Sequence, residues 1–208
     1  MSSIRFMIIG SLTLIALLMF AGCAGIGVVE TNDPLRKLND AEDLFMRQDR
    51  PLIAERLIRE ATAIYQERND AHGLANAHRE YADLLKSLTG SKWEKYYREN
   101  GFQDKTVTFD NRTEKASEYY RKALDFYKQA EQQHLNAARY DALTNVYLNM
   151  AWSYRMVGEH EQSCIYYDKT VDAYNENIKR NPGARPYAAK RASVLDLVTE
   201  EKKQAECK

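Results

Sequence analysis

Residues 150–170 read MAWSYRMVGEHEQSCIYYDKT. Ala151 and Tyr154 stand three apart and Gly158 follows four later, while beyond the glycine Ser163, Tyr167 and Thr170 are spaced by four and three. Offsets of three and four fall on one face of an α-helix. A glycine between two such faces suits a helix C-terminus, where it takes up left-handed backbone without steric cost. The stretch therefore predicts two helices joined by a tight turn. Where two helix axes approach closely, a small side chain is needed at the crossing, and a large ring fills the groove one turn away.

The small, large, small spacing recurs outside this stretch. Ala116, Tyr120 and Ala123 keep it, as do Ala54, Ile58 and Ala61 with an aliphatic centre. Leu35, Leu38, Ala41 and Phe45 form one apolar face that ends at Gln48-Asp49-Arg50. Pro51 then suits the first turn of a second helix, where its missing N–H costs nothing. A third helix runs from about Ala71 through Leu74, Ala77, Tyr81 and Leu85, and Thr113 is expected to cap a fourth that carries Ala116 to Tyr127. The fifth carries Tyr140 to Tyr154; the sixth opens at His160 and stops at Asn181-Pro182-Gly183; the last is expected to start at Pro186 and hold Ala189, Val194, Leu197 and Val198. No alternating strand pattern competes, so the fold class is all-α.

Small residues and aromatics in phase with paired helices resemble the tetratricopeptide repeat family. The resemblance covers about three repeats, Leu35 to Arg68, Ala71 to Gln132 and Ala138 to Arg180, followed by a capping helix. It implies a right-handed superhelix of helix pairs whose concave surface binds peptides or helices of a partner. The first repeat lacks the turn glycine, and none has the usual proline after its second helix. The second repeat is stretched, because Ala82 to Ala116 is about 22 residues longer than Ala151 to Ser163. The inserted segment, about 89–112, holds Trp93, Tyr96, Tyr97, Phe102 and Phe109 among Lys92, Lys95, Arg98 and Lys105. Ser91 to Asn100 reads as a short amphipathic helix and Thr106 to Phe109 as extended. Trp, Tyr and Arg dominate binding hot spots. Trp93, Tyr96, Tyr97 and Phe102 are thus candidates for partner contact, with packing over the edge of the second repeat as the alternative.

The chain begins differently. Met1 to Arg5 carries one positive charge and Phe6 to Gly22 none, and small residues precede Cys23, which is the shape of a secretory signal. Phe20-Ala21-Gly22-Cys23 resembles the lipobox of bacterial lipoproteins, with Phe20 where leucine is usual. The resemblance implies removal of residues 1–22, acylation of Cys23 with palmitate-type chains, and a tether over residues 23–34 ahead of a helical domain at 35–208. Ala24, rather than Asp, implies sorting to the outer membrane, facing the periplasm. Several acyl chains hold a protein to a bilayer durably. The alternative is an uncleaved anchor, since about 17 apolar residues reach the lower end of a membrane span. A plain anchor has no use for the small-small-Cys ending.

Cys164 and Cys207 then remain in an oxidising compartment. If the last two helices are antiparallel about a turn near Gly183, Cys164 lies 19 residues before it and Cys207 24 after it. The mismatch of five residues is roughly 7 Å of helical rise, so the geometry predicts a disulfide. Two unpaired thiols, or an intermolecular bridge through Cys207, are the alternatives.

The 208 residues carry 30 Lys+Arg against 30 Asp+Glu, and this balance argues against nucleic acid, whose binders usually carry a basic surplus. His72, His78, His134 and His160 form no H-E-x-x-H pair, and no phosphate loop, nucleophile elbow or Cys-His pair appears, so no catalytic residue, metal site or cofactor is expected. Tyr120 and Tyr167 are expected to fill helix interfaces. Tyr119, Tyr166, Asn145 and Asn149 are groove candidates, because first-helix side chains line the groove in the family. The leading expectation is a non-enzymatic scaffold for a secretion, pilus or envelope-assembly machine. An adaptor docking proteases or peptidoglycan enzymes is a second reading. A small-ligand binder or enzyme with the insertion as a lid is a third, and exposed end faces of stacked repeats would allow self-association.

Overall fold

The computed structural model describes residues 30–182 and 193–207. The signal segment, Cys23 and most of the tether lie outside the described residues, as do Gly183, Pro186 and Ala189. Two compact units divide at Asn32 and Asp33, and the second carries all the described helices. They are α1 (Pro34–Arg47), α2 (Pro51–Glu67), α3 (Ala71–Lys86), α4 (Leu88–Lys92), α5 (Glu94–Asn100), α6 (Arg112–Asn136), α7 (Tyr140–Met156), α8 (His160–Arg180) and α9 (Val194–Gln204). There is no strand among the described residues.

Four of the short turns contain one residue each in the left-handed region: Asp49 between α1 and α2, Asn69 between α2 and α3, Ala138 between α6 and α7, and Gly158 between α7 and α8. The turn closes when the next N–H reaches back to the helix it leaves, as Asp70 N does to Tyr65 O (3.0 Å) and Glu159 N to Tyr154 O (2.9 Å). Asp49 therefore does in the first turn what Gly158 does in the last. The resulting hairpins pack pairwise, α1 on α2, α3 on α6 and α7 on α8, with neighbouring pairs touching through α2 with α3 and α6 with α7.

The spaced small and large residues are where the pairs meet. Ala54, Ala61, Ala116, Ala123, Ala151, Ser163 and Thr170 are buried completely, and Ile58, Tyr120 and Tyr167 beside them nearly so. At these positions a larger side chain would force the axes apart, which is the packing reason for the pattern. Gly73 is the tightest such place. A β-carbon there would lie 2.0 Å from the Tyr65 ring, so α3 crosses α2 only because residue 73 has no side chain.

Two helix starts differ from the sequence expectation. Thr113 is not the cap of α6: Asn111 precedes the helix, its Oδ1 taken by Thr108 N (2.7 Å) in a tight turn, and Thr113 lies inside the first turn. Helix α9 begins at Val194 rather than running in from Pro186, because Ser193 is extended at φ −163° and its hydroxyl caps Asp196 N (3.1 Å). Cys164 and Cys207 are joined by a disulfide, with Cα atoms 5.5 Å apart, which fastens the end of α9 to α8. Val198 is buried there, and Arg155 and Tyr167 reach Glu201 across the same contact.

Candidate functional site

The aromatic insertion is mostly internal structure. Its amphipathic segment is two short helices, α4 and α5, and the stretch 106–109 forms turns rather than extended chain. Tyr97 and Phe102 are buried and stack face to face, 3.9 Å between ring centres, so they hold the insertion together and present nothing to a partner. Phe109 is clasped between the Arg98 and Arg112 guanidinium groups. Trp93 and Tyr96 remain at the surface, edge to face, and border a shallow depression with Asp49, Lys92, Lys95 and Glu99.

The four groove candidates separate. Asn145 and Asn149 on α7 line an open cavity of about 470 Å³ with Asn39 of α1, Asn76, Arg79 and Glu80 of α3, and the pair His72 and His134. Tyr119 of α6 lines a different cavity, with Glu55, Arg59, His78, Tyr81, Gln103 and Asp104. On α3 the two sets of lining residues point about 150° apart around the helix, so the cavities open on opposing faces. Tyr166 lines neither. It is buried, stacked on Tyr154 at 5.2 Å with Tyr147 beside it. Helix α8 lies between α7 and α9, so both members of the Tyr166-Tyr167 pair meet a neighbouring helix, and the 100° turn between them reaches no solvent.

The first cavity has a charged floor. Arg79 donates to Glu80 and to Asp83 Oδ2 (2.7 Å), and Tyr120 donates to the other Asp83 oxygen. Glu80 Oε2 and Arg79 Nε are buried without a partner. Burial raises the Glu80 carboxyl to about 7 against the pull of Arg79, and Asp83 and Glu42 push the same way as burial. Above this floor Tyr127 donates to Asn76 Oδ1 (2.7 Å), and Asn149 Nδ2 approaches the same oxygen at 3.3 Å. His72 Nδ1 and His134 Nε2 share one hydrogen bond at 3.3 Å, and burial beside His134 lowers His72 to about 4.

The second cavity, about 280 Å³, is built where the insertion meets α2 and α3. Buried Glu55 accepts from Gln103 N (2.7 Å) and from the Tyr81 hydroxyl (2.9 Å), and both bonds fall on Oε1. Burial pushes the Glu55 carboxyl up, and these two bonds, with Lys105 and Arg59, draw it back. His78, stacked on Phe126 and facing Tyr119, is lowered to about 4 by burial and by nearby Lys122.

Sequence reasoning did not find Glu55, Arg79 or Glu80. The signal was present: Glu55 stands beside Ala54 and Ile58, and Glu80 falls between Ala77 and Leu84, inside apolar stripes where a carboxylate needs a reason. No group of three or more His, Cys, Asp or Glu among the described residues is placed to hold a metal ion, and no described helix is long and apolar enough to cross a membrane. No protein-family model matches the chain, and neither a curated protein nor a solved structure is similar to it.

Proposed function

We propose that this chain is a non-enzymatic adaptor, anchored by lipid on Cys23 to the periplasmic face of an outer membrane, that holds a protein partner of an envelope machine in the α1–α3–α7 cavity. On this reading the three hairpins are tetratricopeptide-type repeats in a right-handed superhelix, with α4 and α5 inserted in the second and α9 as the cap. The buried small, large, small sites at each pair support the repeats, and the four residues ending at Cys23 support the anchor.

The observation that carries the functional part is the row of carboxamides, Asn39, Asn76, Asn145 and Asn149, contributed to one cavity by the first helix of each pair. A carboxamide both donates and accepts, as a peptide group does, so such a row can pair with extended or helical backbone whatever its sequence. Asn39 and Asn145 are exposed and free to do so.

The test is to replace Asn145 and Asn149 together by Arg in the full chain and resolve detergent extracts of native membranes on blue-native gels. The partner complex is expected to disappear while membrane association and helical content stay unchanged. A complex that survives both bulky cations contradicts the groove reading. A Cys23→Ser chain that remains with the membrane and takes up no less palmitate contradicts the anchor.

A further inference from the structure

The cavity behind the insertion has the lining of a small-molecule site, separate from the proposed partner groove. Its volume of about 280 Å³ equals roughly nine waters of liquid, enough for a molecule of about ten heavy atoms. Tyr81, Tyr119 and His78 supply aromatic walls, Ile58, Ala63 and Ala77 an apolar side, and Glu55, Arg59 and Gln103 the polar groups.

Those polar groups are only partly used. Asp104 is filled: Oδ1 accepts from Thr106 N (2.8 Å) and the Thr106 hydroxyl (2.9 Å), and the other oxygen accepts from Tyr119. Lys105 is tied to Phe102 O at 3.0 Å. Glu55 spends only Oε1, and Gln103 Oε1 is buried with no donor. Arg59 is exposed and enters no ion pair or hydrogen bond among the described residues. Glu55 and Arg59 stand four apart on α2, a spacing at which opposite charges usually pair along a helix. Here they stay apart and line the same cavity, one buried and negative, the other at the mouth and positive.

We infer that this cavity binds a free α-amino acid, its ammonium on Glu55 Oε2 beside the Tyr81 ring, and its carboxylate on Arg59. A zwitterion matches Glu55 and Arg59, the two charges of the lining without an ion pair among the described residues, since Asp104, the third, has both oxygens bonded to Thr106 and Tyr119 and Lys122 beside it. An amine alone meets the Arg59 charge and an acid alone meets Glu55. The Tyr81 ring walls the ammonium side, whereas Tyr119 already carries Lys122 Nζ over its ring, 4.5 Å from the centre. The insertion gains a purpose from this: the Tyr97–Phe102 stack fixes Gln103 over Glu55 and so completes the site.

Isothermal titration of the full chain in detergent micelles with glycine, L-leucine, L-glutamine and L-phenylalanine tests it, with butylamine and butyrate as single-charge controls. At least one amino acid is expected to bind with a Kd of about 1 mM or tighter, and both controls at least about tenfold more weakly. Arg59→Ala, which removes an exposed side chain with no hydrogen bond or ion pair among the described residues, is expected to weaken binding about tenfold to a hundredfold. No heat from any amino acid at about 10 mM, butylamine binding as tightly as the amino acids, or unchanged binding by Arg59→Ala would overturn the inference. The groove reading stands or falls separately, since neither Asn145 nor Asn149 touches this cavity.

Discussion

His72 and His78 each titrate at about 4 in the fold, against an ordinary 6.5, because burial disfavours the imidazolium. A group whose pKa is lowered by folding adds stability above its unfolded value and loses it as the pH falls toward the folded one. Both histidines therefore destabilise the fold as the pH drops from 6.5 to 4. Glu80 works in the opposite sense, since a carboxyl raised to about 7 from 4.5 favours the fold below 4.5 and loses that contribution as the pH rises through 7. Thermal melts between pH 6.5 and 4 are expected to be flatter for a His72→Gln/His78→Gln chain than for the native one; equal slopes would contradict the burial of these rings. Gly73→Ala drives a β-carbon into the Tyr65 ring. It is expected to cost about 1–3 kcal/mol by urea unfolding, with Tyr65→Ala in the same chain recovering part of the clash term. Of these environments only that of Glu80 left a trace in the sequence, its place inside an apolar stripe. A buried histidine and a crossing glycine look like ordinary helix residues until the partner helix is in place.

Helix existence was legible and helix ends only partly so. Pro51 and Gly158 mark their turns because each has one backbone geometry that suits it, whereas Thr113 misled because α6 is entered through Asn111, whose side chain is taken by Thr108 and caps nothing, and the start of α9 was missed because Ser193 supplies its cap. Ala138 occupies the turn between α6 and α7 at φ 51°, where a β-carbon is strained. Ala138→Gly is expected to stabilise the chain by about 0.5–1 kcal/mol in chemical unfolding, the relief of left-handed strain outweighing glycine's added entropy. The disulfide closes a separation of 43 residues. A loop of that size contributes at most about 4 kcal/mol by restricting the unfolded chain. Reduction, or Cys207→Ser, is expected to speed amide exchange in α9 before α8, because α9 otherwise rests on Val198 and the ion pairs to Arg155 and Asp168. Equal exchange in oxidised and reduced protein would contradict that role. The insertion was legible as a segment but not as an object. Its aromatic content suggests a surface, yet Tyr97 and Phe102 stack inward because a short segment between α3 and α6 has no other core to bury.

Across the whole molecule, three hairpins place their first helices along one side, where the carboxamide row lies, and give the other side a smaller pocket built with the insertion. That division was only half readable: the family resemblance pointed to Asn145 and Asn149, which line the first cavity, while Tyr119 belongs to the opposite face and Tyr166 to the core. Charge balance gave no hint of either site, because neither depends on a net surplus but on a few groups left without partners. The proposed adaptor role is tested most directly by the positional pattern of photocrosslinking in native membranes, with a photoreactive residue placed in turn at Asn39, Asn145, Arg59 and Lys128. A single discrete protein adduct from Asn39 and Asn145, and none from Arg59 or Lys128, is the pattern expected of a partner seated in the α1–α3–α7 cavity. Adducts from Arg59 or Lys128 without any from Asn39 and Asn145 would contradict it.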